Sequence, residues 1–266
     1  MTRIIVHAGF YKTGTTSLQN YLAANHKALT PWFDYYGPGN ISHTGQYARE
    51  YAQRPFPWRR RRFARALRTM LAAMPEPASG NIVISRENYT GVMPGHRDWR
   101  GRPVIGFPAA PCLLDTITTE LQRRFGPEAQ IEYLFTTRDR AAWIESLHGH
   151  LLRSIPIRDD LAQFTARFPP DYDPEAAAQA LARHLAPIPV HTAALEQLGQ
   201  SRIGPATALL DLLGIPEEVR ATLPDARRAN TGQQDDLRDA FLALNRQGLS
   251  RATLKAEKAR LLERET

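Results

Sequence analysis

Residues 4–18 read Ile4-Ile5-Val6-His7-Ala8-Gly9-Phe10-Tyr11-Lys12-Thr13-Gly14-Thr15-Thr16-Ser17-Leu18. Ile4–Ala8 is a short apolar run that ends at a glycine, the pattern of a fully buried strand. After the loop, Leu18, Tyr21, Leu22, Asn25 and Leu29 recur at helical spacing, which predicts a helix. Strand, glycine-bearing loop and helix together form the opening unit of nucleotide-binding α/β folds.

The rest of the chain repeats that alternation. Asn81–Ser85, Ile131–Thr137 and Ile188–Thr192 read as further buried strands. Trp58–Met74, Leu113–Phe125, Arg140–Arg153, Asp159–Phe168, Pro174–Leu185 and Thr207–Leu213 read as helices. Residues 30–57 are rich in Pro, Gly, Tyr and Asn and read as irregular, as do residues 90–111. The expected fold class is α/β, three layers with a central parallel sheet flanked by helices.

Composition narrows the class. Apolar residues make 42% and charged residues 23% of the 266, ordinary globular values that exclude a coiled coil, a collagen-like chain or bulk disorder. No run reaches the ~18 apolar residues of a membrane span. Cys112 is the one cysteine, so no internal disulfide is available. The opening residues turn polar too soon for a signal peptide, and the expected compartment is a reducing cytoplasm. The net charge of +7 and a pI near 9.8 favour anionic partners without choosing among nucleic acid, phosphorylated or sulfated cofactors, acidic glycans and an anionic membrane surface.

The loop is where an anion belongs. Backbone N–H groups at a helix N-terminus have no intrahelical partner, and the helix dipole favours negative charge there. Thr15, Thr16 and Ser17 add hydroxyls, and Lys12 adds a point charge at the rim. A triphosphate-binding P-loop places lysine directly after its second glycine. Here Thr15 follows Gly14 and the lysine precedes it by two residues, so a kinase or ATPase is disfavoured. Asp139, after the third of these strands, reads as a helix N-cap rather than a Mg²⁺ ligand.

The order Lys12-Thr13-Gly14-Thr15-Thr16-Ser17, after a strand ending His7-Ala8-Gly9, closely resembles the 5′-phosphosulfate loop of bacterial PAPS-dependent sulfotransferases. The family pattern is Lys-[Ser/Thr]-Gly-Thr-[Thr/Ser] after a first strand. The resemblance implies the P-loop-like sulfotransferase architecture. It also implies binding of 3′-phosphoadenosine 5′-phosphosulfate (PAPS) by Lys12, Thr13, Gly14, Thr15, Thr16 and Ser17, with no metal. A second motif supports it. The family grips the 3′-phosphate with a strand-end arginine and a serine eight residues on, and Arg138 and Ser146 in Thr136-Thr137-Arg138-Asp139-Arg140-Ala141-Ala142-Trp143-Ile144-Glu145-Ser146 match in type and spacing. Arg140 stands where the family often has proline. His150 and Arg153 follow on the same helix face and read first as partly exposed residues, with the cofactor pocket as the other option. The family's loop over the adenine has no clear counterpart; Ala226-Arg227-Arg228-Ala229-Asn230-Thr231 is the stretch that would stand in for it.

Sulfuryl transfer, like phosphoryl transfer, depends on positioning and charge stabilisation. Lys12 would neutralise the leaving phosphate oxygen. The acceptor hydroxyl or amine needs a base. Glu87, just past the second of these strands in Ile84-Ser85-Arg86-Glu87-Asn88, is the first candidate, because parallel sheets bind ligands beyond the carboxyl ends of their strands. An ion pair with Arg86 is its other reading. His43, in Gly39-Asn40-Ile41-Ser42-His43, is the second candidate, with a solvated loop histidine as the alternative. The run Arg59-Arg60-Arg61-Arg62 opens a helix against its own dipole. An acidic acceptor such as a glycan or lipid head group, Asp/Glu neighbours, or peripheral association with an anionic membrane would offset it, and so would a solvated face whose arginine stems cover apolar surface.

The chain therefore reads as one sulfotransferase domain, 1–266. Excursions at 30–60 and 89–112 lie on the acceptor side, and 234–266 is a C-terminal helical segment. The alternative is a catalytically degenerate member of the fold that binds a nucleotide or nucleic acid. No nucleic acid is expected as partner, because no aromatic stacking platform is recognisable on a basic surface.

Overall fold

A computed structural model describes residues 2–41, 43–226 and 235–263. β1 (Arg3–His7) is followed by α1 (Thr15–Ala24), α2 (His26–Leu29) and β2 (Asp34–Tyr36). Next come α3 (Thr44–Gln53), α4 (Pro57–Ala72), β3 (Asn81–Ser85) and a 3-10 turn over Glu87–Thr90. α5 (Ala110–Phe125) leads to β4 (Gln130–Thr137), and α6 (Arg140–Ser154), α7 (Leu161–Thr165) and α8 (Pro174–Leu185) lead to β5 (Val190–Ala194). The short helices α9 (Leu195–Leu198), α10 (Ala206–Leu212) and α11 (Glu217–Thr222) precede α12 (Asp235–Arg246) and α13 (Arg251–Glu263).

The protein is α/β. Its five strands are all parallel, in the order β2-β3-β1-β4-β5, with helices on both faces. β1 is central: His7 pairs with Ser85 of β3 on one side and Leu134 of β4 on the other. Alternation along β1 divides the core. Ile4 and Val6 join Phe63, Leu67, Leu113, Trp143 and Leu147 on one face. Ile5 joins Leu18, Leu22, Val83, Leu134 and Leu209 on the other. The chain builds the β2-β3 side first and then crosses β1 to build β4 and β5. Strand order therefore reverses beside β1, and the carboxyl ends of β1, β3 and β4 open a crevice there.

The irregular stretch at 30–57 holds two regular elements. β2 is only three residues long and is fenced by Pro31 and Gly37-Pro38, too short to show a period. α3 buries only Thr44, Gly45 and Ala48, so its apolar stripe is nearly invisible. The expected β5 starts two residues late, because Pro187 and Pro189 lack the N–H a ladder needs. The expected run from Leu18 to Leu29 breaks at Asn25, whose side chain donates to the Tyr21 carbonyl at 2.9 Å. Beyond Gln234 the described residues form α12 and α13, which return to α6. Asn245 donates to the Leu152 carbonyl at 3.1 Å, and the buried Lys258 ammonium donates to those of Leu152 and Ile155 at 2.5 and 3.1 Å. A cation and an amide thus satisfy carbonyls left open at the C-terminus of α6.

Among the described residues no helix is long and apolar enough to cross a membrane.

Candidate functional site

A cavity of about 720 Å³ opens at the carboxyl ends of β1, β3 and β4. The loop after β1 forms its floor. Gly14 caps α1 with φ 91°, left-handed backbone that favours glycine over residues with a side chain. Lys12 takes φ 68°, the only described non-glycine residue in left-handed backbone. Such a residue persists where its surroundings over-determine it.

Those surroundings come from two other segments. Arg138 Nη1 donates to the Lys12 carbonyl at 3.2 Å, and Trp143 Nε1 donates to that of Tyr11 at 3.0 Å. Thr13 Oγ1 donates to the Phe10 carbonyl at 2.8 Å and lies 2.9 Å from Thr136 Oγ1. On the other side, Thr90 Oγ1 donates to the Gly9 carbonyl at 3.2 Å, and Tyr11 O–H donates to that of Gly91 at 3.0 Å. The β1 loop, the start of α6 and the turn after β3 are one hydrogen-bonded unit.

Lys12, Gly14, Thr15, Thr16 and Ser17 line the cavity, and so do Arg138, Ser146 and Glu87. Segments more than a hundred residues apart in sequence thus meet at one site. Thr13 is the exception within the loop. Its side chain is fully buried against β4, so the loop offers a ligand only its backbone there. His43 is exposed at the start of α3, with its ring 6.1 Å from that of Tyr47, and it does not line this cavity. Asp139 caps α6 by accepting from the Ala142 N–H at 2.9 Å. Ala226 is a cavity residue, whereas 227–231 lie outside the described residues.

The cavity is cationic. Arg202 pairs with Asp225 at 2.9 Å, and Arg238 pairs with Glu145. Lys12, Arg138 and Arg153 line it with no carboxylate in ion-pair range among the described residues. Burial, helped by Arg153 and Arg138, lowers the Lys12 pKa, while Glu87 works against that. Burial raises the Glu87 pKa, opposed by Arg86 and Lys12. A buried carboxylate with a raised pKa beside a cationic loop is a candidate for proton exchange.

His150 and Arg153 are partly exposed, as expected, and both also line the cavity. Ala142, Glu145, Ser146, Gly149, His150 and Arg153 form one stripe of α6 at three- and four-residue steps. Burial and then the neighbouring Lys12, Arg153 and His96 push the His150 pKa down to about 4, so its ring is neutral near pH 7. The sequence reading missed the opposite wall, Gly199-Gln200-Ser201-Arg202 with Gly204 and Pro205. Its Gly and Pro turn chemistry after a strand was the available signal.

Other histidines have structural partners. His7 Nδ1 lies 2.8 Å from Ser85 Oγ, His148 Nε2 lies 2.9 Å from the Asp159 carbonyl, and His191 Nε2 lies 2.8 Å from Glu132 Oε2.

A scan against protein-family models gives no match for this chain, and neither does a search of curated proteins.

Proposed function

We propose that the cavity transfers a sulfuryl group from 3′-phosphoadenosine 5′-phosphosulfate to a hydroxyl or amine of an acceptor. The observation that carries this reading is the convergence of the Lys12 loop with Arg138 and Ser146 on one cationic cavity. A volume of about 720 Å³ suits a nucleotide, since small-molecule sites run roughly 300–1,000 Å³. Lys12, Arg138 and Arg153, with no carboxylate in ion-pair range among the described residues, and the N-terminus of α1 suit its phosphates.

When bound, the nucleotide would supply the sulfuryl group and a phosphate leaving group. The Lys12 ammonium and the first N–H groups of α1 hold the 5′ end and meet the charge that grows on the leaving oxygen. Arg138 presents its guanidinium to the 3′-phosphate, and Ser146 donates an O–H to it. Glu87 Oε takes the proton from the acceptor, and burial raises its pKa, which makes the carboxylate a stronger base than an exposed one. Placement of Glu87 in the cavity, and of His43 outside it, favours Glu87 for that role.

Calorimetry with 3′-phosphoadenosine 5′-phosphate and transfer of ³⁵S from labelled nucleotide test the reading. Micromolar binding is expected, weakened about tenfold or more in Lys12→Ala and in Arg138→Ala, as loss of a charge-assisted contact implies. Lys12→Ala should also lose roughly 10²–10³-fold in transfer rate. Salt-steep binding to any oligonucleotide, with none to the nucleotide, would instead favour a degenerate binding module.

A further inference from the structure

Outside the cavity, the end of α3, the start of α4 and the turn between Arg97 and Pro103 meet at the surface. Phe56 stacks on Trp58 with ring centroids 4.5 Å apart, and its centroid is 5.4 Å from that of Trp99. Trp58 is 61% exposed and Trp99 45%, the two most exposed large apolar side chains described. The cluster is rigidly mounted. Pro55 and Pro57 bracket Phe56, and the Trp99 N–H donates to the Gln53 carbonyl at 3.0 Å, tying the turn to α3.

Arginines ring the aromatics. Arg59 and Arg62 are paired with Glu50, and Arg102 with Asp98. Arg54, Arg60, Arg61, Arg97 and Arg100 are exposed and have no carboxylate in ion-pair range among the described residues. Four consecutive arginines sit in the first two turns of α4, with no acidic residue in its first turn. Cations there oppose the helix dipole, so an anionic surface would relieve them. Tyr51, Pro55, Pro57, Arg60 and Arg61 line a small cavity of about 270 Å³ at the start of α4.

We propose that this surface docks the protein on an anionic lipid membrane, with Trp58 and Trp99 entering the headgroup boundary and the arginines meeting lipid phosphates. Bulky amphipathic rings among long cationic side chains are what an interfacial site requires. A single-stranded nucleic acid would need free ring faces for its bases. Here Phe56 covers one face of Trp58, and the Arg100 guanidinium sits over Trp99 at 4.6 Å from the ring centroid. A membrane asks for the ring edges and bulk, which remain available. The proposal holds whether or not the cavity transfers sulfate, although Met93 of the cavity wall is only six residues from Trp99 in the chain.

Vesicles of phosphatidylglycerol and phosphatidylcholine, compared with phosphatidylcholine alone, test it with the full-length chain. Expected are co-sedimentation with the anionic vesicles only, weakening at high salt, and quenching of tryptophan emission by brominated lipid. The other two tryptophans, fully buried Trp143 and half-buried Trp32 on the opposite core, lie outside this surface, so quenching is expected to fall to their background in the double variant Trp58→Phe, Trp99→Phe. Arg60→Glu with Arg61→Glu should lower vesicle partitioning about tenfold or more while leaving thermal unfolding unchanged. No binding to anionic vesicles at low salt overturns the proposal, as does binding that both double variants retain. So does oligonucleotide binding that depends on these same residues and outcompetes the vesicles.

Discussion

His7 ends β1 directly beneath the loop that carries Lys12, and its acid titration tests how that loop is held. Its imidazole has no exposed surface; Nδ1 is engaged with Ser85, and Nε2 has no partner. A Cβ on Gly9 would come within 3.1 Å of that Nε2, so the ring is wedged against the loop. Burial pushes the pKa from 6.5 down to about 4. The unfolded chain therefore takes up a proton at a higher pH than the folded chain. Stability is fully present above pH 6.5 and declines as pH falls from 6.5 toward 4. The gap corresponds to about 3 kcal/mol in full, of which about 2 kcal/mol is lost by about pH 5. His7→Gln retains a hydrogen-bonding group for Ser85 and does not titrate. Denaturant unfolding of both proteins near pH 7.5 and near pH 5 isolates the effect, since every other titrating group is shared. The wild-type chain should lose about 2 kcal/mol more than the variant on acidification. Equal losses would refute burial as the origin of the low pKa.

Three further outcomes follow from the same geometry. Glu87→Gln should keep nucleotide affinity while the ³⁵S transfer rate falls roughly 10²–10⁴-fold; an unchanged rate would take the base role from Glu87. The imidazole of His150 should titrate above about 4 once 3′-phosphoadenosine 5′-phosphate is bound, because an anion nearby offsets the cations that lower it. Histidine NMR reads this directly, and a static or falling pKa places the anion elsewhere. Thr13→Val removes hydrogen bonds to Phe10 and Thr136 in a fully buried setting, and should lower unfolding stability by about 1–3 kcal/mol; a neutral effect would show that the loop does not rely on them.

The parts of this fold legible in the sequence are those whose burial is two-sided. β1, β3 and β4 are central strands packed on both faces, so their apolar centres Ile4-Ile5-Val6, Ile82-Val83-Ile84 and Tyr133-Leu134-Phe135 stand out in the sequence. β2 is an edge strand of three residues, and α3 is half polar, so neither leaves a period to read. The floor of the cavity was legible because Lys12, Gly14 and the hydroxyls of Thr15, Thr16 and Ser17 form a compact local pattern of distinctive residue types. The wall at 199–205 was not, because it contributes shape through turns rather than a charged motif. His150 fell between these cases. Its spacing from Ser146 was visible, but the enclosure that makes it a cavity residue comes from Lys12 and from packing of the 93–96 segment, which no local pattern encodes.

Arg138 lies on both sides of that division, and this makes its conservative substitution informative. It faces the cavity, and it also donates to the carbonyl of Lys12, the residue in left-handed backbone. Left-handed backbone at a non-glycine residue costs of order 1–3 kcal/mol, so the loop needs such ties to keep its shape. A guanidinium carries five donors in a fixed fork and can hold a carbonyl and a phosphate together. An ammonium is a single point of charge. Were Arg138 only a counter-charge, Arg138→Lys would preserve nucleotide affinity and leave the loop undisturbed. Because it also braces the loop, Arg138→Lys should lose about tenfold in affinity for 3′-phosphoadenosine 5′-phosphate, and the amides of residues 11–14 should exchange faster even without the nucleotide. Wild-type behaviour in both measurements would show that the two sequence motifs share a cavity without supporting one another. Faster exchange with full affinity would assign Arg138 to the loop alone and leave the 3′-phosphate to Ser146 and Arg153.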